Sequence, residues 1–421
     1  MIPYNENVKG LVVMVAELKK ALVPYFTKDE TELNDSILDL VDTICKEKIE
    51  PFSFEMDAEG VKLENGKTIV HKQIPVILDE FRKNDIFGIA APEEYGGTGL
   101  STALYNTVLE RVSRADASVS IYLALQGALI DYLNTYGSKE LKEKYLPDLS
   151  SGKRLGGFLY TESGSGSDLG SVKTKAEKQG NQYKVNGSKI FISNAGIADT
   201  FSALFATDPS KGSRGLSAFI VDTRNQPGFK IARLEEKLGI HASPTGQIML
   251  EDFTVPEENR LGEENRGLSI ILFGLSASRI GIGAQATGIA DAAYRKALQY
   301  SAERKQFKTR VIDFQNTQFK VADMATKIQI ARNYYIYASM LKDQGKEFFK
   351  EASIAKLYAS EIAPQVCYDA VQIHGGYGFV KDYDVERYYR DARITTIYEG
   401  TSEIQRLVIS REEMNTLGRM K

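Results

Sequence analysis

Tryptophan is absent from this 421-residue chain, cysteine occurs twice and histidine three times. Cys45 and Cys367 cannot build a disulfide framework, and their scarcity suits a reducing compartment. His71, His241 and His374 are scattered, with no His/Cys grouping at metal-ligand spacing, so no metal centre is expected. Neither charge dominates. The 53 basic and 56 acidic residues leave a net −3, which removes the phosphate attraction that nucleic-acid binding rests on. Uninterrupted apolar runs are missing too: none approaches the roughly 20 residues of a membrane-spanning helix. The most apolar early stretch, 10–26, is broken by Glu17, Lys19 and Lys20 and lacks a small-residue cleavage site. The first thirty residues contain no arginine, unlike a transit peptide. The expected location is cytoplasmic, or the mitochondrial matrix for a processed eukaryotic protein.

What is present is the composition of a folded protein, 43% apolar and 26% charged. At roughly 150 residues per domain, the length predicts about three cores. Texture divides the chain accordingly. Residues 28–153 read as helical: Ile37, Val41 and Ile44 recur at i, i+4 and i+7 over 36–48, and 78–86 and 103–112 repeat the pattern around a turn-rich loop at 92–99. Short β-rich runs follow at 158–161, 182–185, 189–193, 201–207, 217–221, 229–232 and 247–253. Asn186-Gly187 between two of them predicts a type I′ hairpin. Long helical patterns return at 269–302, 313–343 and 350–374, as in an antiparallel bundle. Helices, then strands, then helices argue against an alternating doubly wound sheet. The expected fold is α+β and multidomain: a helical extension over 1–30, an N-terminal α-helical domain over 31–156, a middle β-barrel or sandwich domain over 157–266 and a C-terminal four-helix bundle over 267–421.

Four segments carry chemistry. Thr161-Glu162-Ser163-Gly164-Ser165-Gly166-Ser167-Asp168-Leu169-Gly170 follows a strand, and such a loop exposes backbone N–H groups to an anion or a flavin edge. Its glycine spacing and the β-rich stretch after it exclude a nicotinamide-binding Rossmann turn. Arg304-Lys305-Gln306-Phe307, near a break between long helices, offers a guanidinium fork to phosphate or merely solvates a helix end. Gln372-Ile373-His374-Gly375-Gly376-Tyr377-Gly378 closes a helix with more glycines than capping needs, and His374 itself reads as packed or capping. In Tyr398-Glu399-Gly400-Thr401-Ser402-Glu403-Ile404-Gln405, Ser402 and Gln405 fit a capping box. Glu399 falls just before the helix, where burial beside Tyr398 would raise its pKa toward that of a general base and exposure would leave it merely solvated.

In this order and at these separations, the segments resemble those of the acyl-CoA dehydrogenase flavoproteins. The likeness runs from about Leu33 onward and includes 92–97, 186–194, Phe314-Gln315 and Arg390-Asp391-Ala392-Arg393. It implies oxidation of the Cα–Cβ bond of an acyl-CoA thioester to the trans-2-enoyl-CoA, with FAD as hydride acceptor and electrons passed on to electron-transferring flavoprotein. It also implies a homotetramer, a dimer of dimers. Glu399 stands at the base position of short- and medium-chain-like members, where its N–H and a flavin ribityl hydroxyl would hold the thioester carbonyl. Phe158, Tyr160, Thr161, Gly166 and Ser167 match the segment along the isoalloxazine, and Phe191 and Ser193 match residues near its reactive face. Arg304, Gln306, Phe307, Gln315, Gln372, Gly375 and Gly376 match pyrophosphate and adenosine contacts made partly across subunits, and Thr401 and Glu403 match positions completing the FAD site. Ser167, Arg279, Tyr398 and Gly400 match the substrate side.

The chain departs from the family pattern in places. Ser276 stands where members often have Asp, and Ser278 stands where branched- and long-chain relatives carry their base, so Glu399 is not duplicated. Leu129 and Tyr132 replace a Gly…Pro pattern in the acyl-pocket helix and are expected to narrow it toward short chains, roughly C4 to C8. An acyl-CoA oxidase using dioxygen and a catalytically silent scaffold are the alternatives. Oxidases usually add a C-terminal helical domain, and the retained Glu399 and flavin set argue against a scaffold. Flavin monooxygenase relatives generally lack this glutamate.

Overall fold

The computed structural model describes residues 28–224 and 226–419, so the expected extension over 1–30 lies almost wholly outside the described residues. The first layer is helical. Helix α1 (Lys28–Ile44) runs on through a π turn at Cys45–Ile49 and stops at a 3-10 turn containing Pro51. Helix α2 (Ser53–Glu59) leads to a small hairpin, β1 (Lys62–Glu64) and β2 (Lys67–Ile69), and then to α3 (Gln73–Lys83). Asp85 at φ +53 ends that helical path earlier than the apolar pattern indicated. Helices α4 (Thr102–Ala115), α5 (Ala117–Tyr136) and α6 (Lys139–Ser150) complete the layer, each opened by a side-chain cap from Ser101, Asp116 or Ser138.

The middle region is one eight-stranded sheet: β3 (Gly156–Leu159), β4 (Lys175–Gln179), β5 (Gln182–Ser193), β6 (Thr200–Ala206), β7 (Leu216–Asp222), β8 (Phe229–Leu234), β9 (Thr245–Pro256) and β10 (Arg260–Leu261). Its order is β10-β7-β6-β4-β5-β9-β8, with β3 parallel to β6. The hairpin expected at Asn186-Gly187 does not form. Strand β5 runs through it with a bulge, Gly187 being near-extended at φ +158 against Thr174, while Asn186 exchanges hydrogen bonds with Asp252 on β9. The β4–β5 turn falls instead at Gly180-Asn181, with Gly180 at φ +64. The chain's other Asn-Gly pair, Asn65-Gly66, does make the turn with both residues at positive φ, between β1 and β2.

Helix α7 (Gly267–Glu303) is the axis of the C-terminal region, followed by the short hairpin β11 (Lys305–Gln306) and β12 (Thr309–Arg310), then α8 (Gln315–Asp343), α9 (Phe349–His374), α10 (Val385–Ala392) and α11 (Ser402–Arg419). By length and hydropathy α7 alone among the described helices could cross a membrane, yet 67% of its most apolar window is buried inside the protein. Its glycines allow close packing: a Cβ on Gly288 would fall 2.3 Å from the Glu110 carbonyl oxygen of α4. Helical ends therefore flank a central β region, and buried charge fastens the parts together. Arg387 of α10 pairs with Asp116 at the start of α5 at 3.0 Å, and Arg390 pairs with Asp57 of α2 at 2.6 Å. Asp391 accepts from the Ile240 N–H in the β8–β9 loop. Cys45 and Cys367 are both free and buried.

Candidate active site

Glu399 sits at φ +54 in the connection between α10 and α11, after a 3-10 turn at Arg393–Thr396, and is followed by Gly400 at φ +92. Two left-handed residues in succession reverse the chain and turn the carboxylate inward, and the strain is held by neighbouring elements. The Glu399 carbonyl accepts from Arg279 Nε of α7 at 3.4 Å and from Gln405 Nε2 of α11 at 3.2 Å. The Gly400 carbonyl accepts from Lys356 Nζ of α9 at 2.8 Å and from Gln405 Nε2 at 2.9 Å. Thr401, one residue earlier than expected, caps α11 by accepting from the Ile404 N–H. Ser402 lies inside the first turn with its hydroxyl buried, because Gln405 is drawn back to the loop carbonyls and no capping box closes.

The carboxylate has one hydrogen-bond donor among the described side chains, Ser278 Oγ, 2.6 Å from Glu399 Oε2. Burial drives the Glu399 pKa above the ordinary glutamate value, against the lowering effects of Ser278, Arg279 and Lys356. Burial likewise brings Lys356 down to about 8, with Glu399 the main opposing charge. A dry carboxyl with an elevated pKa, reached by few donors, is suited to taking a proton.

Opposite this loop stands the end of β3. Phe158 and Tyr160 stack with centroids 5.0 Å apart, and the chain then enters the glycine–serine loop. That loop hangs on Glu162, whose carboxylate accepts from the Lys173 and Thr174 N–H groups at 2.8 and 3.0 Å and from Lys189 Nζ at 2.8 Å. Lys189 is fully buried and also donates to the Tyr160 and Leu204 carbonyls. Burial lowers its pKa to about 8, while Glu162 opposes the shift. The loop itself is open: nothing lies within 4 Å of where a Cβ would stand on Gly164 or Gly166. Beside it a bulge in β5 places Phe191 at φ +57 with 61% of its surface exposed.

A cavity of about 760 Å³ joins the two walls. Phe158, Tyr160, Thr161, Gly166, Ser167, Phe191, Ser193, Tyr398, Glu399, Gly400 and Thr401 all line it, though they come from sequence positions up to 243 residues apart. Arg279 is 4% exposed and lies behind the Glu399 loop, bonded to its carbonyl and to Ser276 and Ser353 instead of standing on the cavity wall. Glu403 is exposed on α11. Arg304, Gln306, Phe307, Gln315, Gln372, Gly375 and Gly376 gather elsewhere, at an exposed end of the bundle. There Arg304 lies over Tyr377 at 5.4 Å and Tyr300 stacks on the buried His374 at 4.2 Å, joining the two segments. Phe307 and Lys308 both have positive φ between β11 and β12, a tight turn without glycine or asparagine, and Phe307 is 91% exposed.

Family models for the acyl-CoA dehydrogenase N-terminal, middle and C-terminal domains match residues 31–153, 157–253 and 265–414 in that order. The chain belongs to the acyl-CoA dehydrogenase family. It is 44% identical over 336 residues to an acyl-CoA dehydrogenase of Bacillus subtilis (strain 168), covering 80% of this chain and 88% of the relative. It is also 44% identical over 335 residues to the caffeyl-CoA reductase-Etf complex subunit CarC of Acetobacterium woodii, covering 79% and 88%. The solved structure of butyryl-CoA dehydrogenase from Megasphaera elsdenii superposes with a TM-score of 0.86 at 39% identity, covering 92% of this chain and 99% of that one. The protein is therefore an enzyme, an oxidoreductase of a flavoprotein family.

Two features of this acyl-CoA dehydrogenase family member differ from the sequence reading. Leu129 and Tyr132 are buried but do not line the cavity. Leu129 packs on Gly156, and Tyr132 fills the space left by Gly274 while bonding the Ile271 carbonyl at 2.8 Å. They fill the seam between α5, β3 and α7 and do not narrow a substrate pocket. Conversely, Ser278 and Lys356, unassigned from sequence, join Arg279 and Gln405 in holding the Glu399 loop. The place of Ser278 just before Arg279 was the available signal; Lys356 had none.

Proposed function

We propose that the enzyme dehydrogenates an acyl-CoA thioester to the trans-2-enoyl-CoA, with Glu399 removing the α-proton. The observation that carries this reading is a buried carboxylate of raised pKa, facing an aromatic and glycine-lined wall across one cavity. FAD fits that wall: the open loop at Gly164 and Gly166, the hydroxyls of Thr161, Ser167, Ser193 and Thr401, and the exposed Phe191 ring offer the mixed polar and flat surface an isoalloxazine requires. Bound there, FAD supplies the acceptor for the hydride that leaves Cβ.

The chain's own residues do the rest. Substrate entry displaces water from around Glu399, which raises its basicity further and sets the carboxylate against the α-proton. Ser278 steers one carboxylate oxygen and stabilises the ionised form until the proton arrives. The Glu399 N–H binds the thioester carbonyl, where negative charge grows as the proton departs, and one such donor is worth about 3–4 kcal/mol. Arg279, Lys356 and Gln405 hold that N–H in place through the carbonyls of the loop. Tyr398, its hydroxyl bonded to Gln285, walls the site on the substrate side with Gly400.

In this proposal Arg304, Gln306, Phe307, Gln315, Gln372, Gly375 and Gly376 serve the pyrophosphate and adenosine half of FAD across a homotetramer interface, and Glu403 completes the site. The exposed Phe307 and the strained turn under it support a surface covered by a second copy. Three units, 31–156, 157–266 and 267–421, and electron-transferring flavoprotein as electron acceptor belong to the same reading. The likeness to a caffeyl-CoA reductase–Etf subunit supports that partner. It also favours a second reading, enoyl-CoA reduction through the same site in reverse, with Glu399 returning the proton to Cα. An oxidase would form peroxide during turnover. Anaerobic addition of hexanoyl-CoA to the flavin-loaded enzyme should bleach the flavin band. An unchanged spectrum with straight-chain acyl-CoAs from C4 to C16 would defeat the dehydrogenase reading.

A further inference from the structure

The cavity continues past Glu399 between α4, α5, α7 and α8, and its inner wall is not uniformly apolar. Ile121, Ala124, Leu125 and Ala128 of α5 give one greasy side. On the opposite side Asn106 of α4 lines the cavity although it is only 4% exposed. Its amide orientation is fixed by its neighbour. Ser339 Oγ donates its only hydrogen to the Tyr335 carbonyl at 2.9 Å, so toward Asn106 it can only accept, which it does from Nδ2 at 2.9 Å. Asn106 Oδ1 is thereby turned away from Ser339, and among the described residues no group donates to it.

That oxygen faces the Gly281 Cα, 3.6 Å from where a Cβ would stand. Gly281 and Ser278 lie three residues apart on α7, about 4.5 Å along the axis, and both line the cavity. The free acceptor is therefore about one helical turn from the serine that bonds Glu399. Further out, one turn along each helix, Lys342 of α8 pairs with Asp131 of α5 at 2.7 Å and reaches Thr102 of α4, and all three line the same cavity. A saturated alkyl chain would leave Asn106 Oδ1 dehydrated and unpaired, whereas an acyl group with a hydrogen-bond donor at that depth would satisfy it.

We propose that Asn106 selects acyl-CoA substrates bearing a hydroxyl a few carbons beyond Cβ. The inference rests on the dehydrogenase reading above. The test compares kcat/KM for flavin bleaching with hexanoyl-CoA, 5-hydroxyhexanoyl-CoA and 6-hydroxyhexanoyl-CoA, in the wild type and in Asn106→Leu and Asn106→Ala. The wild type should prefer at least one hydroxylated probe by about tenfold, the worth of one buried neutral hydrogen bond. Either variant should erase that preference. Ser339 keeps its bond to Tyr335, and flavin content reports whether each variant has folded. Equal use of all three probes by the wild type, or a preference that survives both substitutions, overturns the assignment of Asn106 and leaves the dehydrogenase reading standing. Failure of all three probes in the wild type also overturns the assignment of Asn106, and the dehydrogenase reading falls with it only when straight-chain acyl-CoAs from C4 to C16 leave the flavin band unchanged as well.

Discussion

Replacing Ser278 by alanine isolates the one side-chain donor to Glu399. The wild-type carboxyl is raised by burial and pulled back first by Ser278, then by Arg279 and Lys356. A hydrogen bond to a charged group is worth about 1.5–3 kcal/mol, and one pKa unit corresponds to 1.36 kcal/mol, so the full bond would move the titration by about one to two units. The serine hydroxyl has a second acceptor within reach, the Leu275 carbonyl at 3.0 Å. When Glu399 is protonated, the Ser278 hydrogen can turn to Leu275 while the carboxyl donates to Ser278, so the neutral form keeps part of the interaction. That places the differential at the lower end, about one unit. The sign is upward: alanine stabilises neither form, but the anion loses more. Because the base must be ionised to act, kcat/KM for flavin reduction by hexanoyl-CoA rises with pH through this titration. Ser278→Ala should shift that acidic limb about one unit higher, with the high-pH plateau kept to within a few fold. A limb that stays in place or moves to lower pH would refute the idea that this hydrogen bond sets the basicity of Glu399.

Glu399→Gln should cut flavin reduction by about 10²–10⁴-fold with the oxidised flavin still bound, and near-normal turnover would rule out its role as base. The same substitution should raise thermal stability at pH 8. A carboxyl whose folded pKa is raised contributes stability below its unfolded pKa that is lost as pH climbs through the folded value, so the variant's advantage should vanish near pH 4. Lys189→Met leaves Glu162 with its two backbone donors but without its counter-charge, at a cost of about 3–5 kcal/mol in denaturant unfolding. Adding Glu162→Gln should recover part of that loss. Arg304→Ala removes an exposed guanidinium that lies over the Tyr377 ring, so unfolding should change by less than about 0.5 kcal/mol while FAD dissociates more readily on ultrafiltration. Unaltered FAD retention would reduce Arg304 to a partner of that ring.

Local pattern carried much of the architecture. The long bundle helices were legible because their apolar spacing persists over many turns: 269–302, 313–343 and 350–374 lie within two residues of α7, α8 and α9 at each end. Strand β4 escaped notice because its burial alternates for only one inward residue, Ala176. The two Asn-Gly pairs show the limit of a turn signal. Asn65-Gly66 reverses between two three-residue strands, whereas Asn186-Gly187 is overruled by Asp252 and Thr174, which reach it across 66 and 13 residues of sequence.

Glu399, the glycine–serine loop and Phe191 were identifiable as motifs, since each carries its peculiarity in adjacent residues. Their environment was not. Whether Glu399 is a solvated pre-helix carboxylate or a buried base depends on α7 delivering Ser278 and Arg279 and on α9 delivering Lys356, from 43 to 121 residues away. The same holds for Leu129 and Tyr132, which sequence put in the pocket and packing put behind it, and for Asn106, whose free oxygen follows from where a serine 233 residues later sends its proton. Sequence determines which groups exist and how each segment curls, because those energies are local. Desolvation, charge pairing and hydrogen-bond direction depend on distances through space, and these exist only once the helices have packed.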